Sequence, residues 1–197
     1  MTKEISGLDE SDMLQRRGFI LTTGFVLANL SVIALAPAAV AATQANGDVD
    51  PDVNIMQGAL AIEHEGIAAY RLAGGSGLLT PNTLKVATIF MGHHQQHRDS
   101  LEALITKAGG SPVKPKSDAQ YTQELNLGAL KSEGDVVALA AKLEQGATNA
   151  YAGQVAALHN RQLTHLFTQL CADESVHWTT LNNAMEVPIP AKAYLFG

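Results

Sequence analysis

The stretch that decides the fold is ADESVHW, residues 172–178. It sets a carboxylate, Glu174, and an imidazole, His177, one helical turn apart, so both side chains lie on the same face of a helix. At about 100° per residue, four leucines of this segment fall within about 60° of His177, namely Leu163, Leu166, Leu170 and Leu181. The pair is therefore predicted to point into an apolar core. A buried ionised carboxylate needs a positive partner, and because no Lys or Arg lies on this face, a metal ion is the natural candidate.

The chain repeats this arrangement. AIEHEGIAAY, residues 61–70, aligns with KLEQGATNAY, residues 142–151, so that Glu63 and Glu144 are each followed seven residues later by a tyrosine, Tyr70 or Tyr151. A histidine-bearing segment then follows each copy at nearly the same distance. The sequence therefore predicts a pair of helices that occurs twice, with Glu63 and Glu144 facing apolar neighbours.

The histidine-rich segment GHHQQH, residues 92–97, offers several candidate ligands. The apolar face of its helix centres on His97. His94 lies about 60° to one side and His93 about 40° to the other, so periodicity leaves both open. The repeat aligns His94 with Glu174, which favours His94 as the inward-facing residue. We interpret His93 as a capping or outer residue, with ligation as the alternative.

Four long helices are predicted, over residues 53–73, 81–108, 134–159 and 162–185. The turn between the last two contains Asn160, which is suited to a left-handed conformation. A connection over residues 109–133, with a short helix at 121–130, is far longer than antiparallel neighbours need, so the second and third helices should run parallel. Residues 53–186 are thus predicted to form an all-α four-helix bundle with a long crossover between helices 2 and 3. In the tail, residues 187–197, Tyr194 and Phe196 are expected to dock on the bundle.

The N-terminal 41 residues are typical of a targeting segment, and residues 42–52 are a polar linker. Arg16 and Arg17, followed by Phe19 and a moderately apolar run to Val40, resemble a twin-arginine export signal. This resemblance implies the twin-arginine export machinery as a partner and a periplasmic or otherwise exported protein, loaded with its cofactor before export. The alternative is an uncleaved membrane anchor, because residues 18–41 are long enough to span a bilayer.

Composition excludes several other classes of function. The net charge is −6 and basic residues form no block, which argues against nucleic-acid binding. A single cysteine, Cys171, rules out an intramolecular disulfide and a Cys-x-x-Cys iron site. We interpret Cys171 as a small buried apolar residue rather than as a ligand.

Glutamates on one helix of each pair, histidines on the other and one long crossover resemble the ferritin-like di-iron and di-manganese carboxylate proteins, and in particular the exported ferritin-like proteins of bacteria. The resemblance implies that Glu63 and Glu144 are terminal ligands, Glu174 a bridging ligand, and His97 and His177 terminal ligands. It also implies that Tyr70 and Tyr151 hydrogen-bond carboxylates across the bundle; core aromatic residues at helical spacing are the alternative.

His94 departs from the family pattern, because it stands where a glutamate would bridge two metal ions. The resemblance implies two divalent ions, iron first with manganese or zinc as alternatives, and an oxidoreductase that acts on oxygen, peroxide or ferrous iron. Two alternatives stay open: a structural or stress-associated bundle with little or no catalysis, motivated by His94, and a metal-storage or metal-binding protein. A homo-oligomer is compatible with each.

Overall fold

The computed structural model describes residues 50–196, and the structural statements below refer to that part of the chain. It contains helices α1 (Pro51–Gly74), α2 (Pro81–Lys107), α3 (Asp118–Glu124), α4 (Glu133–Val155) and α5 (Arg161–Ala184), with a 3-10 helix at Leu127–Ala129. No strand occurs in these residues, and the prediction of an all-α bundle with a long crossover between α2 and α4 is confirmed. The predicted signal segment lies outside the described residues. None of the described helices combines the length and the apolar character needed to cross a bilayer.

Each of the four long helices begins at a side chain that caps its free backbone N–H groups. The capping oxygens accept hydrogen bonds from the first turns of α1, α2, α4 and α5, and they belong to Asp50, Thr80, Ser132 and Asn160. Asp, Thr, Ser and Asn are the residues that favour this position. Local sequence therefore sets where each helix starts.

The turn between α4 and α5 differs from the prediction. α4 ends at Val155 rather than near His159, and Asn160 is an extended N-cap with φ −84° rather than a left-handed residue. The cause lies on α1, where the buried Asp52 carboxylate accepts hydrogen bonds from the backbone N–H groups of His159 and Asn160 at 3.0 and 2.8 Å. These bonds hold the chain at Asn160 in an extended conformation, so α4 does not continue through His159.

The crossover between α2 and α4 packs against α1. Gln57 donates to the carbonyl of Ser111 and accepts from the N–H of Val113, at 2.7 and 2.8 Å. Helical periodicity predicts that His64 lies off the apolar face of α1, and this prediction is wrong. The ring of His64 is buried, and its Nε2 lies 3.1 Å from the carbonyl oxygen of Val113. Periodicity along α1 could not show that the crossover covers this side of the helix.

Two apolar clusters fill the bundle, one on each side of a polar layer. The larger cluster includes Leu60, Leu101, Phe167 and Leu170, and the smaller one consists of Phe90, Val137, Ala141 and Leu181. On α2, α4 and α5 the buried carboxylates and imidazoles lie in sequence between members of the two clusters. The core is thus divided around its charged side chains.

The tail follows the prediction only in part. The ring of Phe196 packs edge-on against Trp178 at 5.1 Å, but Tyr194 is 99% exposed. Tyr194 also has a φ of 60°, in the left-handed region of the backbone.

Candidate metal centre

Six carboxylate and imidazole side chains meet in the middle of the bundle. α1 and α4 each contribute one glutamate, α2 contributes two histidines, and α5 contributes a glutamate and a histidine. All six are buried: Glu63, His94, His97, Glu144, Glu174 and His177. Four separate helices therefore bring every predicted metal ligand to one place.

These side chains form two overlapping donor groups. Donor group A comprises Glu63, His94, His97 and Glu174, and donor group B comprises His94, Glu144, Glu174 and His177. Within each group, one ligand atom from every residue lies within 4.8 Å of the others. His94 and Glu174 belong to both groups, so they occupy the position between the two candidate metal sites.

The donor set fits divalent metal ions. Among the described residues, five buried side-chain atoms have no hydrogen-bond partner, and three of them belong to this cluster: His97 Nδ1, Glu144 Oε2 and Glu174 Oε1. His97 Nδ1 lies 3.2 Å from Glu174 Oε1, but the two atoms are not aligned for a hydrogen bond. Buried polar atoms are rarely left without a partner. Nitrogen and oxygen donors of this kind suit iron, manganese and zinc.

His94 is held between two carboxylates. It donates from Nδ1 to Glu63 at 2.8 Å and from Nε2 to Glu144 at 3.3 Å. Burial alone would lower the pKa of His94, but Glu144 and Glu63 raise it well above its ordinary value. Space for the ring comes from Gly66, since a Cβ there would lie 3.1 Å from two ring atoms. Sequence reasoning had not assigned Gly66 this role.

The two other histidines each contact the opposite helix pair with their outer nitrogen. His97 Nε2 donates to Asp173 at 3.2 Å, and His177 Nε2 lies 2.9 Å from His93 Nδ1. His93 thus lies behind His177, as expected for an outer residue, and Phe90 stacks on the same imidazole at 4.1 Å. Contacts of this kind fix the tautomer and the orientation of a metal-binding imidazole.

Asp173 was not predicted to be a site residue, although the internal repeat aligns it with a histidine of the first half. The repeat aligns His94 with Glu174 and therefore His93 with Asp173. Each of these preceding residues supports a histidine of the other half. Cys171, by contrast, belongs to neither donor group, and its thiol lies 3.6 Å from the carbonyl oxygen of Thr148.

The two tyrosines of the repeat exchange hydrogen bonds across the bundle. Tyr70 of the first half donates to Glu144, and Tyr151 of the second half donates to Glu63. Each glutamate is therefore oriented by a hydroxyl from the other half, which is the arrangement that the family resemblance implies.

Burial and close charges shift the acidity of the cluster. Burial alone would raise the pKa of Glu63, but His94 and His97 outweigh it and lower the pKa to about 2. Burial likewise opposes the charged form of His97, yet Glu174 and Glu63 raise its pKa to about 10. Burial raises the pKa of Glu174, and His177 and His97 offset this only in part. Of the three carboxylates in the cluster, Glu174 is the one whose pKa is raised, although nitrogens of His94, His97 and His177 lie within 3.6 Å of it.

Comparison with known proteins places the chain in a family. Residues 51–187 match the ferritin-like domain family, whereas no curated protein matches the sequence. The fold is similar to the crystal structure of a conserved hypothetical protein from Mycobacterium tuberculosis, with a TM-score of 0.61 and 21% identity over 72% of this chain and 95% of that one. With the helices, the crossover and the buried Glu and His side chains in place, the chain belongs to the ferritin-like domain family.

Proposed function

We propose that donor groups A and B bind two divalent transition-metal ions, iron in the first place with manganese or zinc as alternatives, and that the protein is an oxidoreductase. The observation that carries the proposal is the set of buried atoms without hydrogen-bond partners on His97, Glu144 and Glu174. Each belongs to a residue that offers a donor within 4.8 Å of its neighbours. Glu174 would be shared by the two ions, and Glu63, His97, Glu144 and His177 would be terminal ligands.

Iron or manganese ions, when bound, would supply redox chemistry with dioxygen, peroxide or ferrous iron, whereas zinc would not. The protein supplies the rest. Tyr70 and Tyr151 orient the terminal carboxylates, and Asp173 and His93 orient the imidazoles. The two apolar clusters keep bulk water from the polar layer.

His94 makes this centre more positive than one with four carboxylates. Three glutamates leave a formal charge of +1 with two divalent ions, where a fourth would leave none. An added positive charge in a buried site is unfavourable, and it disfavours oxidised ions more than divalent ones. We therefore propose that the metals are held loosely, or one more tightly than the other, with the divalent state favoured.

A second candidate is a structural or stress-associated bundle without catalysis. The observation that favours it is the hydrogen bonding of His94 to Glu63 and Glu144, which already provides these carboxylates with a donor from within the protein. In this case the cluster would be stabilised by its own imidazoles and would need no metal.

Metal analysis separates the two candidates. The wild-type protein, exported under native conditions and dialysed against metal-free buffer, is compared with H177A, H94E and, as a control, H165A, which removes an exposed histidine of α5. We expect fewer than two ions per chain in wild type and H165A, fewer still in H177A, and more in H94E. Two tightly held ions in wild type would contradict the role proposed for His94, and none under excess metal would favour the structural bundle.

Oxygen consumption then tests the reaction. Ferrous ion is added anaerobically, and oxygen uptake is followed after mixing with air-saturated buffer. A rate above that of ferrous ion in buffer, retained by H165A and lost in H177A, supports an oxidoreductase. A rate no higher than that of the buffer favours the structural candidate.

Export by the twin-arginine route is also proposed, on the basis of the Arg16-Arg17 pair and the apolar run that follows it. Replacing both arginines by lysine is expected to leave an unprocessed chain in the cytoplasm. An exported chain with both lysines in place would contradict this route.

A further inference from the structure

An apolar cavity lies beside the candidate metal centre. Its inner volume is about 40 Å³, it is partly open to solvent, and its walls are side chains of α1, α2, α4 and α5, among them Ala73, Val86, Val137, Ala140 and Leu181. Part of its wall belongs to the smaller apolar cluster, which also includes Phe90, the ring stacked on His177.

Tyr70 forms the boundary between this cavity and the metal centre. Its side chain lines the cavity and also a second space of about 20 Å³, whose wall includes His94 and Glu144. The ring centroids of Tyr70 and His94 are 5.5 Å apart, and the Tyr70 hydroxyl donates to Glu144. One side chain therefore separates an apolar space from two residues of donor group B.

The wall of the cavity offers little to a polar molecule. Its two hydroxyl groups are both engaged, that of Tyr70 with Glu144 and that of Thr83 with Thr80. A water molecule needs two to four polar partners, which these side chains do not supply. Hydrogen peroxide has the same need, whereas dioxygen has none.

Size restricts the occupant further. Apolar cavities of about 150 Å³ hold benzene or xenon, and this one has roughly a quarter of that volume. An aromatic ring is too large for this inner space, whereas a diatomic gas fits it. We propose that the cavity is a binding site for a small apolar gas, dioxygen in the cell, from which the gas passes Tyr70 to the Glu144 side of the centre. The use of dioxygen there rests on the proposed function; its binding does not.

Xenon is the probe for binding. Methyl NMR spectra of the full-length protein, with and without bound metal, are recorded under increasing xenon pressure and again under dioxygen. Saturable shifts confined to cavity methyls such as those of Ala73 and Val137 are expected. A140L fills the cavity and should abolish these shifts. A138L, at an exposed position of the same helix, should retain them. No saturable response in wild type, or the same response in both variants, would overturn the proposal.

A kinetic comparison tests the link to the centre. With ferrous-loaded protein, A140L is expected to slow the reaction with dioxygen at least several-fold and to leave the reaction with hydrogen peroxide unchanged. A138L is expected to react with dioxygen at the wild-type rate. Equal effects on both oxidants would contradict a gas route through the cavity. If xenon binds but the protein holds no metal, the gas site stands and the proposed oxidoreductase fails, so the two failures are distinguishable.

Discussion

Gly66→Ala tests whether the ring of His94 is fixed in place. The added Cβ would lie 3.1 Å from His94 Cε1 and Nδ1 and 3.3 Å from Cγ, closer than an ordinary van der Waals contact. The ring cannot withdraw, because it is buried and hydrogen-bonded to Glu63 and Glu144. Overpacking of this kind costs about 1–3 kcal/mol, while Gly→Ala inside a helix gains roughly 0.5–1 kcal/mol. The net result should be a loss of up to about 2.5 kcal/mol.

Gly146→Ala is the matched control. Gly146 also lies inside a long helix, but a Cβ there meets no atom within 4 Å, so only the helical gain remains. Urea denaturation of the metal-free proteins, followed by circular dichroism, should show G66A less stable than wild type and G146A more stable. If G66A proved as stabilising as G146A, the ring of His94 would not be held as described.

Three further predictions concern stability. Tyr151→Phe removes a hydroxyl that donates to the buried Glu63 carboxylate. This change should lower the free energy of unfolding, measured by urea denaturation, by about 1.5–3 kcal/mol. The control is Tyr121→Phe, which should cost only about 0.5–1.5 kcal/mol because the Tyr121 hydroxyl accepts from a neutral backbone N–H. Equal losses would contradict a hydrogen bond from Tyr151 to an ionised Glu63. The pKa of His97 is raised to about 10 in the folded metal-free protein, from about 6.5 when unfolded. This contribution is present in full below pH 6.5 and is lost as the pH rises towards 10, so the urea midpoint should fall over that range. A flat profile would contradict the raised pKa, and bound metal should reduce the fall, because a coordinating imidazole is already deprotonated. Asp52→Asn should lower the free energy of unfolding by roughly 1–2 kcal/mol, because the amide caps the N–H groups of the α4–α5 turn more weakly than the carboxylate does. Amide hydrogen exchange of His159 and Asn160 should become faster. Unchanged exchange would contradict the role of Asp52 in holding this turn.

The bundle and its six buried candidate ligands could be predicted because the spacing of buried residues along a helix is periodic. Helical spacing fixes which residues share a face with Glu174 and His177, and the internal repeat extends the argument to Glu63 and Glu144. The structure brings these side chains together without a change of face.

Contacts between helices could not be predicted in this way. Asp173 and His64 lie away from the apolar faces of their own helices, and each gains its partner from another part of the chain. The turn after α4 likewise depends on Asp52, which is 107 positions away from His159 in sequence. Of these three contacts, only that of Asp173 has a signal in the sequence, its alignment with His93 in the repeat; the other two become visible only in the folded chain.

The central claim is that donor groups A and B hold two metal ions. Anomalous diffraction from crystals grown anaerobically with excess ferrous or manganous ion tests it most directly. Two anomalous peaks are predicted, one in each donor group, with Glu174 contacting both. Peaks found only at surface carboxylates, with neither donor group occupied, would contradict the claim.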